Sequence, residues 1–163
     1  MTGRIVKGIA GFYYVYSEGR IYECKAKGIF RKDKLKPMVG DTVSLDVIDE
    51  DELTGNVTVI HERTSELIRP AVANVDQAVI VFALTHPEPN YLLLDKLLLQ
   101  FEIQDVPTIL CFNKEDLVEQ AEISRVEAVY SGCGCDICFT CATSGQGVDE
   151  LRAVLEGKLS CVA

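Results

Sequence analysis

Hydrophobic positions follow two different rhythms, and the change falls near Pro70. Before it, apolar residues come in short alternating runs. "GRIVKGIAGFYYVYSEGRIYECKAKGIFR" (3–31) is rich in Ile, Val, Tyr and Phe and is cut by Gly11 and by Ser17-Glu18-Gly19, as strands joined by tight turns are. "VGDTVSLDVID" alternates Val43, Leu45 and Val47 with polar residues, the period of a half-buried strand. "TGNVTVIHER" repeats the alternation after a turn expected at Thr54-Gly55-Asn56. Roughly five short strands with close turn signals and a basic loop from Arg31 to Lys36 predict an oligonucleotide-binding barrel.

Beyond Pro70 the runs lengthen and strand patterns alternate with helical ones. "VDQAVIVFAL" is continuously apolar, as a strand buried on both faces would be. "PNYLLLDKLLLQFEIQ" places Leu93, Lys96, Leu97, Gln100 and Phe101 at helical spacing, and its apolar content predicts deep burial. "VPTILCFN" and "CDICFTCA" predict further strands, separated by the helix "LVEQAEISRVEAVYSG" with Gly132 just past its end. "GVDELRAVLEG" predicts a short helix closed by Gly157, and "KLSCVA" opens a fourth strand. The alternation predicts an α/β domain with a parallel sheet over residues 71–163, after an all-β domain over 1–70.

The chain's 163 residues suit one average domain or two small ones, and 48% hydrophobic content supports a packed core. No apolar run reaches the roughly 18 residues of a membrane span, and the N-terminus lacks a signal-peptide core. A cytoplasmic location with no membrane partner is the expectation. Seven cysteines, with Cys24, Cys111 and Cys161 inside apolar runs, fit small buried hydrophobes in a reducing compartment.

A net charge of −9 argues against nucleic-acid binding by the whole surface. The charge is unevenly placed: residues 1–40 carry nine Lys/Arg against three acids, a net +6, which leaves −15 for residues 41–163. A basic front on an acidic chain is a localised footprint for one polyanionic partner. Arg31, Lys32, Lys34 and Lys36 are its candidate RNA-contacting residues. Phe12, Tyr13, Tyr14, Tyr16 and Tyr22 lie among basic residues on the first two strands, and alternation turns about half of them outward.

The chemical signal in the second half is "LCFNKEDL" (110–117), where a buried strand ends in Asn, Lys and two acids. Ligands of open α/β sheets bind beyond the carboxyl ends of the strands. A carboxylate at Asp116 can accept from both N1–H and the 2-amino group of guanine, donors that adenine lacks, and an unmet buried acceptor discriminates strongly. Asn113 can bridge loops, the stem of Lys114 can cover the ring, and Glu115 is expected to face solvent. The plain alternative is a helix start capped by Asn113 or Asp116. "CATSGQG" (141–147) follows the next strand and could offer backbone N–H groups to the guanine carbonyl.

Neither G-x-x-x-x-G-K-[ST] nor D-x-x-G occurs in the sequence. Phosphate-binding elements ordinarily precede the base loops of a GTPase. Here a barrel precedes them, so either nucleotide is not bound or the order is permuted.

These residues resemble the circularly permuted, small-ribosomal-subunit-dependent GTPases of the RsgA (YjeQ) type. The resemblance runs from "PMVGDTV" through "ELIRPAVANVDQAVIVFAL", "LLDKLLLQ" and "CFNKEDL" to "TSGQGVDELRAVL". It implies an OB-fold barrel that contacts ribosomal RNA, then the front part of a P-loop-type GTPase domain whose phosphate loop would follow "KLSCVA". It implies GTP or GDP with Mg2+ for the intact protein, a Zn2+ site in a C-terminal domain not represented here, and a monomer acting on the small subunit. It carries guanine recognition onto Asn113, Lys114 and Asp116, and the second base loop onto Cys141 and Ala142. That loop usually reads Ser-Ala-Lys, and here reads Cys141-Ala142-Thr143. The competing expectation is a noncatalytic RNA-binding module with a truncated nucleotide domain.

"CGCDICFTC" brings Cys133, Cys135, Cys138 and Cys141 close in sequence. The spacing C-x-C-x2-C-x2-C is not the paired C-x2-C of common zinc modules, and a strand would point Cys138 and Cys141 to opposite faces, so thiols without metal are favoured. His61 and His86 stand alone and are assigned no role. The acidic stretch Asp49 to Glu52 is expected to be a solvated hairpin loop.

Overall fold

The computed structural model describes residues 1–26, 30 and 36–163, which form two compact units, Met1–Asn74 and Val75–Ala163. The predicted basic-loop residues Arg31, Lys32 and Lys34 lie outside the described residues. Lys36 is described and exposed.

In the first unit, β1 (Thr2–Ile9), β2 (Phe12–Ser17), β3 (Arg20–Ala26), β4 (Thr42–Asp49) and β5 (Thr54–Ile60) close into a barrel of order β1-β2-β3-β5-β4. β3 pairs parallel with β5 and the other pairings are antiparallel, the five-stranded oligonucleotide-binding topology that the strand pattern predicted. Alternation sends Ile5, Val15, Tyr22, Cys24, Val43, Leu45 and Val57 inward, where Phe30 joins them. Each such apolar side chain contributes roughly 2 kcal/mol on burial. The Cys24 thiol is fully buried and pushed up to about 11, by burial first and by the neighbouring Glu23 carboxylate second.

Thr54-Gly55-Asn56 is not the turn that its composition predicted. The turn is Glu50–Leu53, where the Asp49 carboxylate accepts from the N–H groups of Asp51 and Glu52 at 2.8 and 2.9 Å. Gly55 lies within β5 because Asp46 O would stand 2.8 Å from a Cβ there: the glycine serves close strand approach. His61 follows β5 instead of lying in it, and its Nε2 is 3.0 Å from Ser44 Oγ. A short hairpin, β6 (Glu66–Leu67) with β7 (Val72–Ala73), completes this unit.

The second unit holds a parallel sheet of order β10-β9-β8-β11, built from β8 (Gln77–Ala83), β9 (Thr108–Asn113), β10 (Asp136–Thr140) and β11 (Ser160–Val162). Its helices are α1 (Tyr91–Ile103), α2 (Gln120–Tyr130) and α3 (Val148–Leu155). On one face Val79, Ile109, Cys111 and Cys138 pack on Leu151, Val154 and Leu155 of α3. On the other, Phe82, Phe112 and Phe139 meet Tyr91 of α1 and Tyr130 of α2, with ring centroids 5.5 to 6.4 Å apart. α1 is shallower than its composition predicted. Leu94 and Phe101 are buried, while Leu92, Leu93, Leu99 and Ile103 are exposed, because the helix meets its surroundings along one stripe. β8 likewise has Ala78, Val79 and Ile80 buried but Val81 exposed.

Candidate functional site

The parallel register sets the site. Ala83, Asn113 and Thr140 are aligned on β8, β9 and β10, so the loops that leave these strands emerge from one edge. Leu84 N–H donates to Asn113 O at 3.0 Å and fixes the end of β9.

At Asn113 the chain turns sharply. Lys114 has φ +66°, a left-handed conformation that a lysine adopts at a cost of roughly 1 kcal/mol. Its ammonium donates to the backbone carbonyl of His86, which ties the loop after β9 to the loop after β8. A single 3-10 turn, Glu115–Leu117, follows. No side chain caps that turn, so neither Asn113 nor Asp116 acts as the helix cap of the plain alternative.

Asn113 is the hinge of the site. Its Oδ1 accepts from Ala142 N–H at 3.2 Å and from Thr140 Oγ1 at 3.3 Å. One side chain therefore joins the two loops that the sequence singled out. Asp116 is exposed and carries no hydrogen bond or ion pair among the described residues, so its two acceptor oxygens are open to a ligand. Glu115 departs from expectation: the residue is half-buried, and its Oε1 is buried without a partner among the described residues.

The second loop is a compact turn. Cys141 is buried, its N–H donates to Gln146 O at 2.9 Å, and its carbonyl accepts Gly145 N–H at 2.9 Å. Its Sγ lies 3.1 Å from Thr143 Oγ1. Ala142 is exposed at the apex. Gly147 has φ +72°, and a Cβ there would stand 1.9 Å from Phe139 O, so only glycine lets this loop close over the end of β10.

Asn113, Lys114, Asp116, Cys141 and Ala142 thus share one edge of the sheet. Sequence reasoning missed Thr140 and the His86 carbonyl. A polar residue ending an apolar strand beside a candidate loop could have signalled Thr140. A backbone acceptor leaves no trace in residue type.

The cysteine cluster does not converge. Cys133 is exposed, Cys135 partly buried, and Cys141 is folded into the second loop. Cys138 is paired with Cys111 on the adjacent strand, and the interaction of the two thiols lowers that of Cys111 and, with burial, raises that of Cys138. Among the described residues no group of three or more His, Cys, Asp or Glu is placed to hold a metal ion.

The model of the RsgA GTPase family matches residues 60–163, and that of the RsgA N-terminal domain matches residues 2–54. The chain belongs to the RsgA family. The small ribosomal subunit biogenesis GTPase RsgA of Agathobacter rectalis is 49% identical over all of this chain and 58% of that protein. Its namesake in Alkaliphilus metalliredigens is 44% identical over 99% of this chain and 55% of that protein. Two solved structures share the fold. YjeQ from Thermotoga maritima has a TM-score of 0.86 at 34% identity, over 99% of this chain and 59% of that one. YloQ, described as a circularly permuted GTPase, has a TM-score of 0.80 at 36% identity, over 99% of this chain and 58% of that one. The chain therefore spans a little over half the length of these RsgA relatives. The fold expected from the resemblance, a barrel followed by part of a permuted GTPase domain, is the fold observed.

Proposed function

We propose that this chain supplies the guanine-recognition half and an RNA-contacting barrel of a GTPase that acts in biogenesis of the small ribosomal subunit. The observation that carries the base-recognition reading is the bond from Ala142 N–H to Asn113 Oδ1, which assembles two loops distant in sequence at the carboxyl edge of a parallel sheet. In this reading the Asp116 carboxylate accepts N1–H and the 2-amino group of guanine. The stem of Lys114 lies along the base, and the Ala142 N–H, which donates to Asn113 Oδ1 in this structure, is shared with its carbonyl oxygen, while the Cys141 N–H stays on Gln146 O and holds the loop in shape. Adenine would leave Asp116 unpaired, a penalty worth a factor of about 10^4 where such a site is closed.

The whole protein would bind GTP, with water attacking the γ-phosphorus to give GDP and inorganic phosphate. The sequence holds neither a phosphate-loop motif nor D-x-x-G, so no residue here is assigned to phosphate, Mg2+ or the attacking water. Zn2+ is assigned to no residue of this chain. Lys36, with Arg31, Lys32 and Lys34, belongs to the basic front proposed to meet ribosomal RNA. A cytoplasmic monomer is the proposed working form, and no helix among the described residues is long and apolar enough to cross a membrane.

Asp116→Asn tests the base reading in the whole protein. The asparagine amide can donate to the 2-carbonyl of xanthine where aspartate cannot. Preference should move from GTP towards xanthosine triphosphate by at least tenfold. An unchanged preference for GTP would remove Asp116 from base recognition.

A further inference from the structure

The outer face of the barrel carries a pattern that the guanine site does not explain. On β2, Phe12, Tyr14 and Tyr16 point outward while Val15 and Ser17 are buried. The register places Ile9, Lys7 and Arg4 of β1 beside these rings, and Lys25, Glu23 and Ile21 of β3 on their other side. Two ammonium groups lie over ring faces: Lys7 Nζ is 4.9 Å from the Tyr14 centroid and Lys25 Nζ is 5.2 Å from that of Phe12. Tyr16 is 51% exposed. The single acid of the strip, Glu23, accepts from Tyr14 Oη at 2.9 Å. At the hairpin end, Ile9 and Phe12 join Lys36, Met38, Val39 and Ile68 around an open cavity of about 640 Å3.

We propose that this face is a stacking platform for single-stranded RNA, with unpaired bases on Phe12, Tyr14 and Tyr16 and phosphates on Arg4, Lys7 and Lys25. The inference rests on the RNA-binding reading of the barrel and names the face and the kind of RNA. Charge favours a polyanion: three cations flank the rings against one acid, on a chain of net charge −9. Spacing favours an unpaired strand. Alternate residues of a strand stand about 7 Å apart, roughly twice the per-strand rise of stacked nucleotides, so an extended chain fits the ladder and a duplex does not. The lysines over the rings hold them at a cation–π gain of about 1 kcal/mol each, small enough for a base to displace them towards phosphate. The cavity beside Phe12 gives a base running off the ladder an apolar wall and a lysine rim.

The test measures binding of a fluorescent eight-nucleotide single-stranded RNA and of a duplex of equal length to the full chain. The wild type is compared with Tyr14→Leu, Tyr16→Leu and Tyr16→Phe. Leucine keeps an apolar outward side chain and removes the ring. Each Leu variant should weaken single-strand binding by roughly five- to a hundredfold, and Tyr16→Phe should retain it. Wild-type affinity in both Leu variants, with RNA still bound, would overturn the platform and leave RNA binding to the basic loop. Stronger binding of the duplex than of the single strand by the wild type would also overturn it. A wild type that binds neither RNA would overturn the RNA reading of the barrel as a whole.

Discussion

Arg63 Nε lies 2.7 Å from Oδ1 of Asp41, whose side chain is fully buried. The same guanidinium reaches Asp41 Oδ2 at 2.9 Å, Glu66 Oε2 at 2.7 Å and the carbonyl of Lys36 at 2.8 Å. Asp41 Oδ2 also accepts Met38 N–H at 2.7 Å. One arginine therefore binds the chain entering β4, the segment after β5 and the hairpin β6–β7. Removing it strands a buried carboxylate. Arg63→Ala should lower stability to urea by about 3–5 kcal/mol, and Arg63→Lys, which loses the bidentate fork, by a smaller but clear amount. A midpoint within error of wild type for Arg63→Ala would mean that Asp41 finds another partner.

The tie between the base loops predicts an affinity change with little loss of fold. Asn113→Ala removes the acceptor for Ala142 N–H and Thr140 Oγ1. Its stability cost should be about 1–2 kcal/mol, while the affinity of the whole protein for GDP should fall by about tenfold or more. Titration with a fluorescent GDP reads this directly. Unaltered affinity would separate the tie from nucleotide binding.

Glycine substitutions separate steric closure from backbone freedom in the second loop. Gly147→Ala puts a methyl 1.9 Å from Phe139 O and should cost more than about 3 kcal/mol. Gly145 has φ +84° but open space around it, so Gly145→Ala should cost only roughly 1–2 kcal/mol of backbone strain. Thermal melts of the two variants give the comparison, and equal losses would show that strain alone governs this loop.

Cys24 predicts a loss of stability at high pH. Its thiol is pushed from the ordinary 9.0 up to about 11, by burial first and the Glu23 carboxylate second. The contribution is complete below pH 9, where both states hold the proton. It is lost as pH rises towards 11, because the unfolded chain ionises first. The full contribution is roughly 3 kcal/mol at most. The fall in stability between pH 8.5 and pH 10.5, taken as wild type minus Cys24→Ala, should be positive. Parallel pH curves for the two proteins would remove Cys24 as its source.

Thiol accessibility gives a further check on the packing. Cys133 is exposed, whereas Cys24, Cys111 and Cys161 are buried. A thiol-reactive dye at neutral pH should label Cys133 within minutes and leave those three unlabelled until denaturant is added. Rapid labelling of Cys24 in native buffer would contradict a closed barrel core.

Much of this protein is determined by the sequence alone. Alternation of Val43, Leu45 and Val47 sets which side of β4 faces the core, because successive strand side chains point to opposite faces. Asn113, Lys114 and Asp116 after an apolar run mark the carboxyl end of a buried strand. Tertiary structure decided what depends on neighbours distant in the chain. Gly55 has turn composition but lies in a strand, since only the approach of Asp46 O shows why a side chain is excluded there. The leucines of α1 promise deep burial, yet the one stripe that meets the rest of the unit buries only Leu94 and Phe101. Asn113 and Ala142 are 29 residues apart, and no periodicity within either segment joins them. Their contact follows from the pairing of β9 with β10 in parallel register, which brings the two strand ends and the loops leaving them to the same edge.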